Sequence, residues 1–157
     1  MKKISLFIFF IVLINACAKT QQEQQTTQKP IQTISAEDVS ILTPKQVVTL
    51  YFESWNNKQY DVMYSLISDG FKKIEPTAKT FEDFKIYMSK FYDTALGVRV
   101  VDAKESYKND KETGVDYKIE ITNKDVTKKE FSSTYTLKNR SNGWKLIHPY
   151  GQNIDTT

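Results

Sequence analysis

The chain of 157 residues carries 22 lysine and arginine residues against 19 aspartate and glutamate residues, a formal net charge of +3 at pH 7. Nucleic-acid-binding domains normally show a clustered basic face, so this near balance argues against a nucleic-acid partner. Cys17 is the only cysteine, so no internal disulfide can form, and we expect the folded part to depend on its hydrophobic core.

The N-terminus combines a basic start, residues 1–3, with an apolar run over residues 4–14 and then Cys17. The run has 11 residues, whereas a helix needs about 20 to cross a bilayer. The arrangement resembles the lipobox of bacterial lipoproteins, with Ile14 where leucine is usual. The resemblance implies that residues 1–16 are a signal peptide and that Cys17 is lipidated; an ordinary cleaved signal peptide is the alternative.

The segment after Cys17 is rich in glutamine and threonine and has almost no apolar periodicity. Such a composition cannot offset the entropy cost of ordering, so we expect residues 17–42 to be a flexible tether. The alternative is an ordered arm, residues 31–41, that lies against the domain. Ala18 stands where an aspartate would favour the inner membrane. The resemblance therefore implies that the protein is anchored on the periplasmic side of the outer membrane in a diderm cell, and at the cell surface in a monoderm cell.

Residues 43–157 are patterned as one folded domain. Thr43 and Gln46 have the spacing of a capping box, and Pro44 follows the cap directly, which predicts a helix over residues 44–56. Apolar residues then recur at helical spacing along this stretch.

Two further helices are predicted before the pattern changes. Tyr60 opens a second amphipathic stretch that we expect to end at Gly70. Residues 71–74 are predicted as a short strand. Thr80 is the predicted cap of a third helix that ends near residue 92, with an apolar face of phenylalanine, tyrosine and methionine.

Beyond Gly97 the hydrophobic period changes from 3.6 to 2, which is typical of strands. Strands are predicted over residues 98–107, 115–121, 131–137 and 144–148, with turns at residues 109–114 and 139–143. Phe131, Tyr135 and Leu137 fall on one face of the third. The plan is α+β, with three N-terminal helices packed on an antiparallel sheet of four or five strands.

Both ends of the domain resemble bacterial nuclear transport factor 2-like (NTF2-like) domains. The opening resemblance covers residues 43–48, 51–60 and 64–68, and residues 134–137 and 142–146 are similar to the last hairpin of that family. The resemblance implies a cone-shaped, cystatin-like fold in which a strongly bent sheet wraps the helices and leaves a cavity open at one end.

Aromatic residues are the candidates for lining such a cavity. They are Tyr51, Trp55, Tyr87, Tyr117 and Tyr135. Aromatic walls suit an apolar or sugar-like ligand, and core filling is the competing explanation.

His148, the only histidine, alternates with Trp144 and Leu146 and would face the same cavity. Beside Asp61 or Asp102 it would be a candidate general base, and a structural or exposed position is the alternative.

No catalytic set is expected, because the carboxylates that can be placed, such as Asp116 and Glu120, alternate with apolar residues and face solvent. No cofactor is expected, and no metal site either, since residues 109–114 lack the spacing of a calcium loop.

The sequence favours a lipid-anchored, non-catalytic envelope lipoprotein whose domain binds a partner protein, a wall component or a small apolar ligand. The alternative is a spacer or assembly domain that forms a homodimer through its sheet. It would resemble the non-catalytic cystatin-like module at the front of some penicillin-binding transpeptidases. A small enzyme that uses His148 as general base is the third hypothesis.

Overall fold

The computed structural model describes residues 36–109 and 111–147. Five helices come first: α1 (Ala36–Ser40), α2 (Pro44–Asn56), α3 (Tyr60–Leu66), α4 (Asp69–Ile74) and α5 (Phe81–Ser89). Short 3₁₀ turns, Pro76–Ala78 and Lys90–Asp93, flank α5. Four strands follow: β1 (Ala95–Lys108), β2 (Glu112–Asn123), β3 (Lys128–Arg140) and β4 (Gly143–Ile147). The predicted α+β class is confirmed.

Helix α2 covers the residues predicted for the first helix, and its start is set by Thr43. The Gln46 amide donates to Thr43 Oγ1 at 3.3 Å, and the Thr43 amide donates to Gln46 Oε1 at 2.8 Å. This predicted capping box gives partners to two N–H groups that a helix start would otherwise leave unpaired. Val47 and Val48 of the apolar stripe are fully buried in the core, and Trp55 at its end is partly buried.

The chain between α2 and α5 differs from the prediction. The second helix ends at Leu66 and not at Gly70, which lies inside α4. Residues 71–74, predicted as a strand, are helical. Phe71 is buried while Ile74 is half exposed, so the apolar pattern of this short stretch did not distinguish a helix from a strand.

Ser68 is the physical reason for the break between α3 and α4. Its backbone is extended, and its Oγ accepts the Phe71 amide at 3.1 Å as the N-cap of α4. The Ser68 amide donates to the Leu146 carbonyl oxygen of β4 at 2.9 Å. The break between α3 and α4 is therefore stabilised by a residue about eighty positions away in sequence.

Helix α5 begins at the predicted cap, because the Asp83 amide donates to Thr80 Oγ1 at 3.1 Å. The helix passes into the 3₁₀ turn Lys90–Asp93, close to the predicted end. Phe84 is buried as its helical spacing predicts, whereas Tyr87 is 52% exposed. Tyr87 therefore lies at the border of the apolar stripe.

The strands form an antiparallel sheet in the order β1-β2-β3-β4, which confirms the predicted sheet with four strands. The first three are longer than predicted, and β2 begins at Glu112, inside the segment predicted as a turn. Register shifts between Val100 and Asp102 and between Glu105 and Tyr107 interrupt the β1 ladder. Irregularities of this kind bend a strand and increase its twist.

The inner face of β3 is buried only in its second half. Tyr135 and Leu137 are buried, but Phe131, predicted on the same face, is 52% exposed. Strand β4 pairs with residues 136–140 of β3. Among the described strands, none pairs with the edge of residues 128–134 that faces away from β2, and we call this stretch the free edge of β3.

Residues 36–42, which come before the predicted domain start at residue 43, are ordered. Val39 of α1 is 3% exposed and belongs to the core. A Cβ added at Gly143, whose φ is +96°, would lie 2.8 Å from Ser40 Cα, so the arm and the β3–β4 turn meet backbone to backbone. From Ala36 on, the structure shows the ordered arm that the sequence left as the alternative to a tether. In the described part of the chain, no helix has the length and apolar character needed to span a membrane.

Candidate functional site

Three of the tyrosines predicted to bind a ligand form one buried aromatic cluster with Phe52. The rings of Tyr117 and Tyr135 stack with centroids 4.8 Å apart, Tyr51 meets Tyr135 edge-on at 6.0 Å, and Phe52 lies 4.9 Å from Tyr117. All four side chains are buried. The cluster fills the space between α2 and the sheet, in agreement with the competing explanation of core filling.

Trp55 is turned toward α5 and the segment after it. Its ring lies 4.3 Å from that of Phe91, and its Nε1–H donates to the Met88 carbonyl oxygen at 3.2 Å. The Tyr92 hydroxyl donates to the Trp55 carbonyl oxygen. Trp55 therefore joins the end of α2 to α5.

A pocket of about 200 Å³ opens between α2, α4 and α5, and we call it the aromatic pocket. Its lining residues are Tyr51, Phe71, Glu75, Thr77, Phe84, Tyr87 and Met88. The fold thus brings Tyr51 and Tyr87, two of the five aromatic candidates, together in the wall of one pocket. Tyr117 and Tyr135 are not among its walls, since they pack on the inner side of the cluster.

Glu75 is the one carboxylate that lines the aromatic pocket. Its Oε1 accepts the Thr77 amide at 3.2 Å and the Thr77 hydroxyl at 2.8 Å. These bonds cap the 3₁₀ turn Pro76–Ala78. The pocket therefore presents apolar and aromatic surface with a single anionic group that the neighbouring turn already engages.

The phenols of the cluster are held in their neutral form. Burial raises the pKa of Tyr51 well above its ordinary value, and the neighbouring Tyr117 and Tyr87 add to the shift. Burial likewise raises the pKa of Tyr135, reinforced by Tyr51 and Tyr117. At neutral pH these hydroxyls are protonated, so they can donate hydrogen bonds but do not serve as bases.

Two other described residues singled out in the sequence, the aspartates at 61 and 102, do not line this pocket. Asp61 and Asp102 are exposed. His148 and Cys17 lie outside the described residues, so the general base and the lipid anchor stay predictions. Within the described ranges, no group of three or more histidine, cysteine, aspartate or glutamate side chains is placed to hold a metal ion.

Several walls of the pocket were not identified as site residues. Phe84 and Met88 were recognised only as part of a helical stripe, and Phe71 was assigned to a strand. Glu75 carries no local signal beyond its place before Pro76. Their convergence depends on the 3₁₀ turn Pro76–Ala78, which contacts both α4 and α5, and residue spacing within either helix does not encode it.

The comparisons with known proteins agree with this architecture. The family model of the NTF2-like N-terminal transpeptidase domain matches residues 43–149. A SEC-C motif-containing protein from Rhodopseudomonas palustris is similar in structure, with a TM-score of 0.54 and 9% identity over 71% of this chain and 80% of that one. A protein of unknown function with a cystatin-like fold from Nostoc punctiforme has a TM-score of 0.50 and 12% identity over 65% and 81%. At these identities the two structures establish the fold alone. No curated protein matches the chain.

Proposed function

Because the chain belongs to the family of NTF2-like N-terminal transpeptidase domains, we propose that it is a non-catalytic binding domain, held at the cell envelope by a lipid on Cys17. Its ligand is a small apolar molecule, or the aromatic or short aliphatic group of a larger envelope component. The single observation that carries the proposal is the aromatic pocket between α2, α4 and α5.

The size and chemistry of the pocket support this ligand class. At about 200 Å³ it is smaller than the roughly 300 to 1,000 Å³ of typical ligand sites, so it suits one aromatic ring or a short alkyl chain. Phe71, Phe84 and Met88 offer apolar surface, and the half-exposed Tyr87 stands at the opening. A group bound there would exchange water for aromatic contacts.

The same walls offer no acid–base pair for catalysis. Glu75 is engaged by Thr77, and the pKa of Tyr51 is raised far from neutral pH by burial. General acid–base catalysis needs a group that changes protonation near the working pH and lies within hydrogen-bond reach of the substrate. The lining residues therefore support binding better than turnover.

Two methionines make a direct test of the pocket. Met88 lines it, whereas Met63 is fully buried elsewhere in the core. In the full chain carrying Cys17→Ser and labelled at the methionine methyl groups, phenol, indole or n-butanol should shift the Met88 signal saturably and leave Met63 in place. If none of the three probes moves the Met88 signal, the aromatic pocket does not bind this class of ligand.

Matched variants on α5 make the test specific. Tyr87→Ala removes a wall of the pocket, and Ile86→Ala removes a neighbouring side chain of similar exposure that does not line it. We expect weaker binding in the first variant and unchanged binding in the second. Equal affinities in the two variants would place the bound probe elsewhere.

The envelope location rests on the N-terminal motif and is tested separately. Acylation of Cys17 would add two or three long chains, and each buried methylene contributes about 0.8 kcal/mol to membrane binding. We expect mass spectrometry of the native protein to find diacylglycerol on Cys17, and Cys17→Ser to move the protein to the soluble fraction. An unmodified thiol in membrane-purified protein would remove the anchor from the proposal.

The free edge of β3 favours a second candidate function, assembly of a homodimer through the sheet. An exposed edge strand presents N–H and C=O groups that another strand can pair with. Phe131 lies on this edge and is 52% exposed. Light scattering should then find a dimer that Phe131→Lys dissociates and that Leu96→Lys, at an exposed position of β1, leaves intact. A monomer at all concentrations would rule out this function.

A further inference from the structure

A second pocket, of about 280 Å³, lies between the α3–α4 junction and the β3–β4 turn. It shares no lining residue with the aromatic pocket. Four cationic side chains line it, Lys72, Lys73, Arg140 and Lys145, against the single carboxylate of Asp69. We call it the cationic pocket, since its walls carry a net charge of +3, as large as the formal net charge of the whole chain.

Lys145 is the most unusual of these residues, because a lysine is rarely buried without a paired charge. It is 7% exposed, and its Nζ donates to the Ser65 carbonyl oxygen at 2.8 Å. Among the described residues no carboxylate lies within ion-pair distance of this ammonium group. An ammonium group has three donors, and the described contacts supply one acceptor.

Lys72 stands close to Lys145 and is held by other contacts. Its Nζ lies 3.1 Å from Asp69 Oδ1 and 4.5 Å from the centre of the Tyr64 ring. The Asp69 side chain is 85% exposed, so it neutralises Lys72 from the solvent side. Burial first, and then the charge of Lys72, lower the pKa of Lys145, while Asp69 opposes the shift, as expected where two ammonium groups lie near each other.

We propose that the cationic pocket binds a phosphate group, as a phosphomonoester or a phosphodiester. The oxygen atoms of a phosphate would accept hydrogen bonds from Lys145 and Lys72 together and offset the repulsion between them. Ser141 and Asn142 at the rim add hydroxyl and amide donors for the ester oxygens. The pocket is larger than a phosphate ion, so the rest of the ligand has room beside the charged group.

A titration with inorganic phosphate tests the site directly. The full chain carrying Cys17→Ser is titrated at constant ionic strength, and the amide signals of Gly70, Asn142 and Lys145 are followed by NMR. We expect a saturable shift of these signals with phosphate and a weaker one with acetate, a carboxylate of single charge. No saturable shift, or equal affinity for acetate, would overturn the proposal.

Charge-removing variants locate the binding. Lys145→Met and Lys72→Met keep the apolar stem and remove the ammonium group, whereas Lys45→Met removes an equal charge from the exposed face of α2. Affinity for phosphate should fall about tenfold or more in each pocket variant, the scale of one charged hydrogen bond, and stay unchanged in Lys45→Met. An equal loss in all three would mean binding by net charge alone. Because Lys72 is less buried than Lys145, its variant keeps the test valid if Lys145→Met fails to fold.

Two further probes distinguish the sources of the phosphate. Glycerol 1-phosphate stands for a soluble phosphoester, and vesicles of phosphatidylglycerol and phosphatidylcholine stand for a lipid headgroup. Vesicle binding by the Cys17→Ser chain that is lost in Lys145→Met would assign the site to a membrane surface. Shifts with glycerol 1-phosphate and no vesicle binding would assign it to a soluble or polymeric phosphoester. Failure with both would overturn the proposal and leave the aromatic pocket untouched.

Discussion

The phenol rings of Tyr117 and Tyr135 stack face to face across β2 and β3, with centroids 4.8 Å apart and planes inclined by 19°. Tyr117 pairs with Ser133 in the ladder, so Tyr135 is its diagonal neighbour on the inner face. Tyr51 of α2 closes the group by an edge contact with Tyr135. The hydroxyl groups of Tyr51 and Tyr135 are thereby removed from water in the centre of the domain, which makes its stability depend on their protonation.

The first prediction is a loss of stability at alkaline pH. Burial raises the pKa of Tyr51 and Tyr135, so the unfolded chain releases these protons first. Their contribution to the free energy of unfolding is complete below about pH 10, the pKa of tyrosine in the unfolded chain. It is lost as the pH rises toward the pKa values of the folded state, at up to about 1.4 kcal/mol per pH unit for each group. The pKa of Lys145 is lowered, so this group makes the free energy of unfolding rise with pH below about pH 10.5. It is one group against several tyrosines, so the net change is a loss of stability.

Urea unfolding between pH 8.5 and 11.5 measures this dependence. Tyr51→Phe should reduce the slope above pH 10, because one buried phenol has been removed. Tyr107→Phe, at a partly exposed position of β1, is the matched control and should keep the slope of the parent chain. Parallel curves for all three proteins would contradict the prediction.

The second prediction concerns the cap of α4. Ser68 is 1% exposed, and its Oγ is the acceptor of the Phe71 amide. Ser68→Ala leaves that N–H without its acceptor and should lower the free energy of unfolding by about 1 kcal/mol. Ser132→Ala, on the exposed part of β3, should change it by less than about 0.5 kcal/mol. Urea denaturation of both variants measures these changes. Equal free energies of unfolding for the two variants would show that the cap does not stabilise the domain.

The third prediction is a gain in stability at the β2–β3 turn. Val126 has a φ of +60°, in the left-handed region that a β-branched side chain rarely adopts, and it is 72% exposed. Val126→Asn should raise the free energy of unfolding by about 1 kcal/mol, since asparagine tolerates this conformation and little packing is lost. The control is Val101→Asn, which lies in the extended strand β1 and should give no gain in a thermal melt. A decrease for Val126→Asn would refute the assignment of strain.

The fourth prediction tests the contact between the arm and the β3–β4 turn. Gly143→Ala would place a Cβ 2.8 Å from the Ser40 backbone at a φ of +96°, so both space and conformation oppose it. We expect a loss of about 1 to 3 kcal/mol and faster proteolysis within residues 36–43. Asn142→Ala, an exposed change in the same turn, should leave both measurements near those of the parent chain. Unchanged proteolysis in Gly143→Ala would mean that this backbone contact does not hold the arm.

The sequence by itself determined the features that depend on neighbours a few positions away. Thr43 and Thr80 satisfy the first amides of α2 and α5 through residues three places on, and both caps are found as predicted. The change of hydrophobic period beyond Gly97 separates the helices from the sheet. These signals are local, and they were sufficient for the class of fold.

Only the tertiary structure decided which partners those elements find. The Leu146 carbonyl oxygen ends α3 by taking the Ser68 amide, and no residue near Ser68 announces it. The same contact lays the α3–α4 junction beside β4, so Lys145 is buried although alternation places it opposite the core-facing Leu146. Likewise, Tyr51 and Tyr87 meet at a pocket, whereas Tyr117 and Tyr135 become core. Tyrosines at the pocket and tyrosines in the core have the same local sequence pattern. Their burial is set by elements that are distant in sequence and adjacent in space.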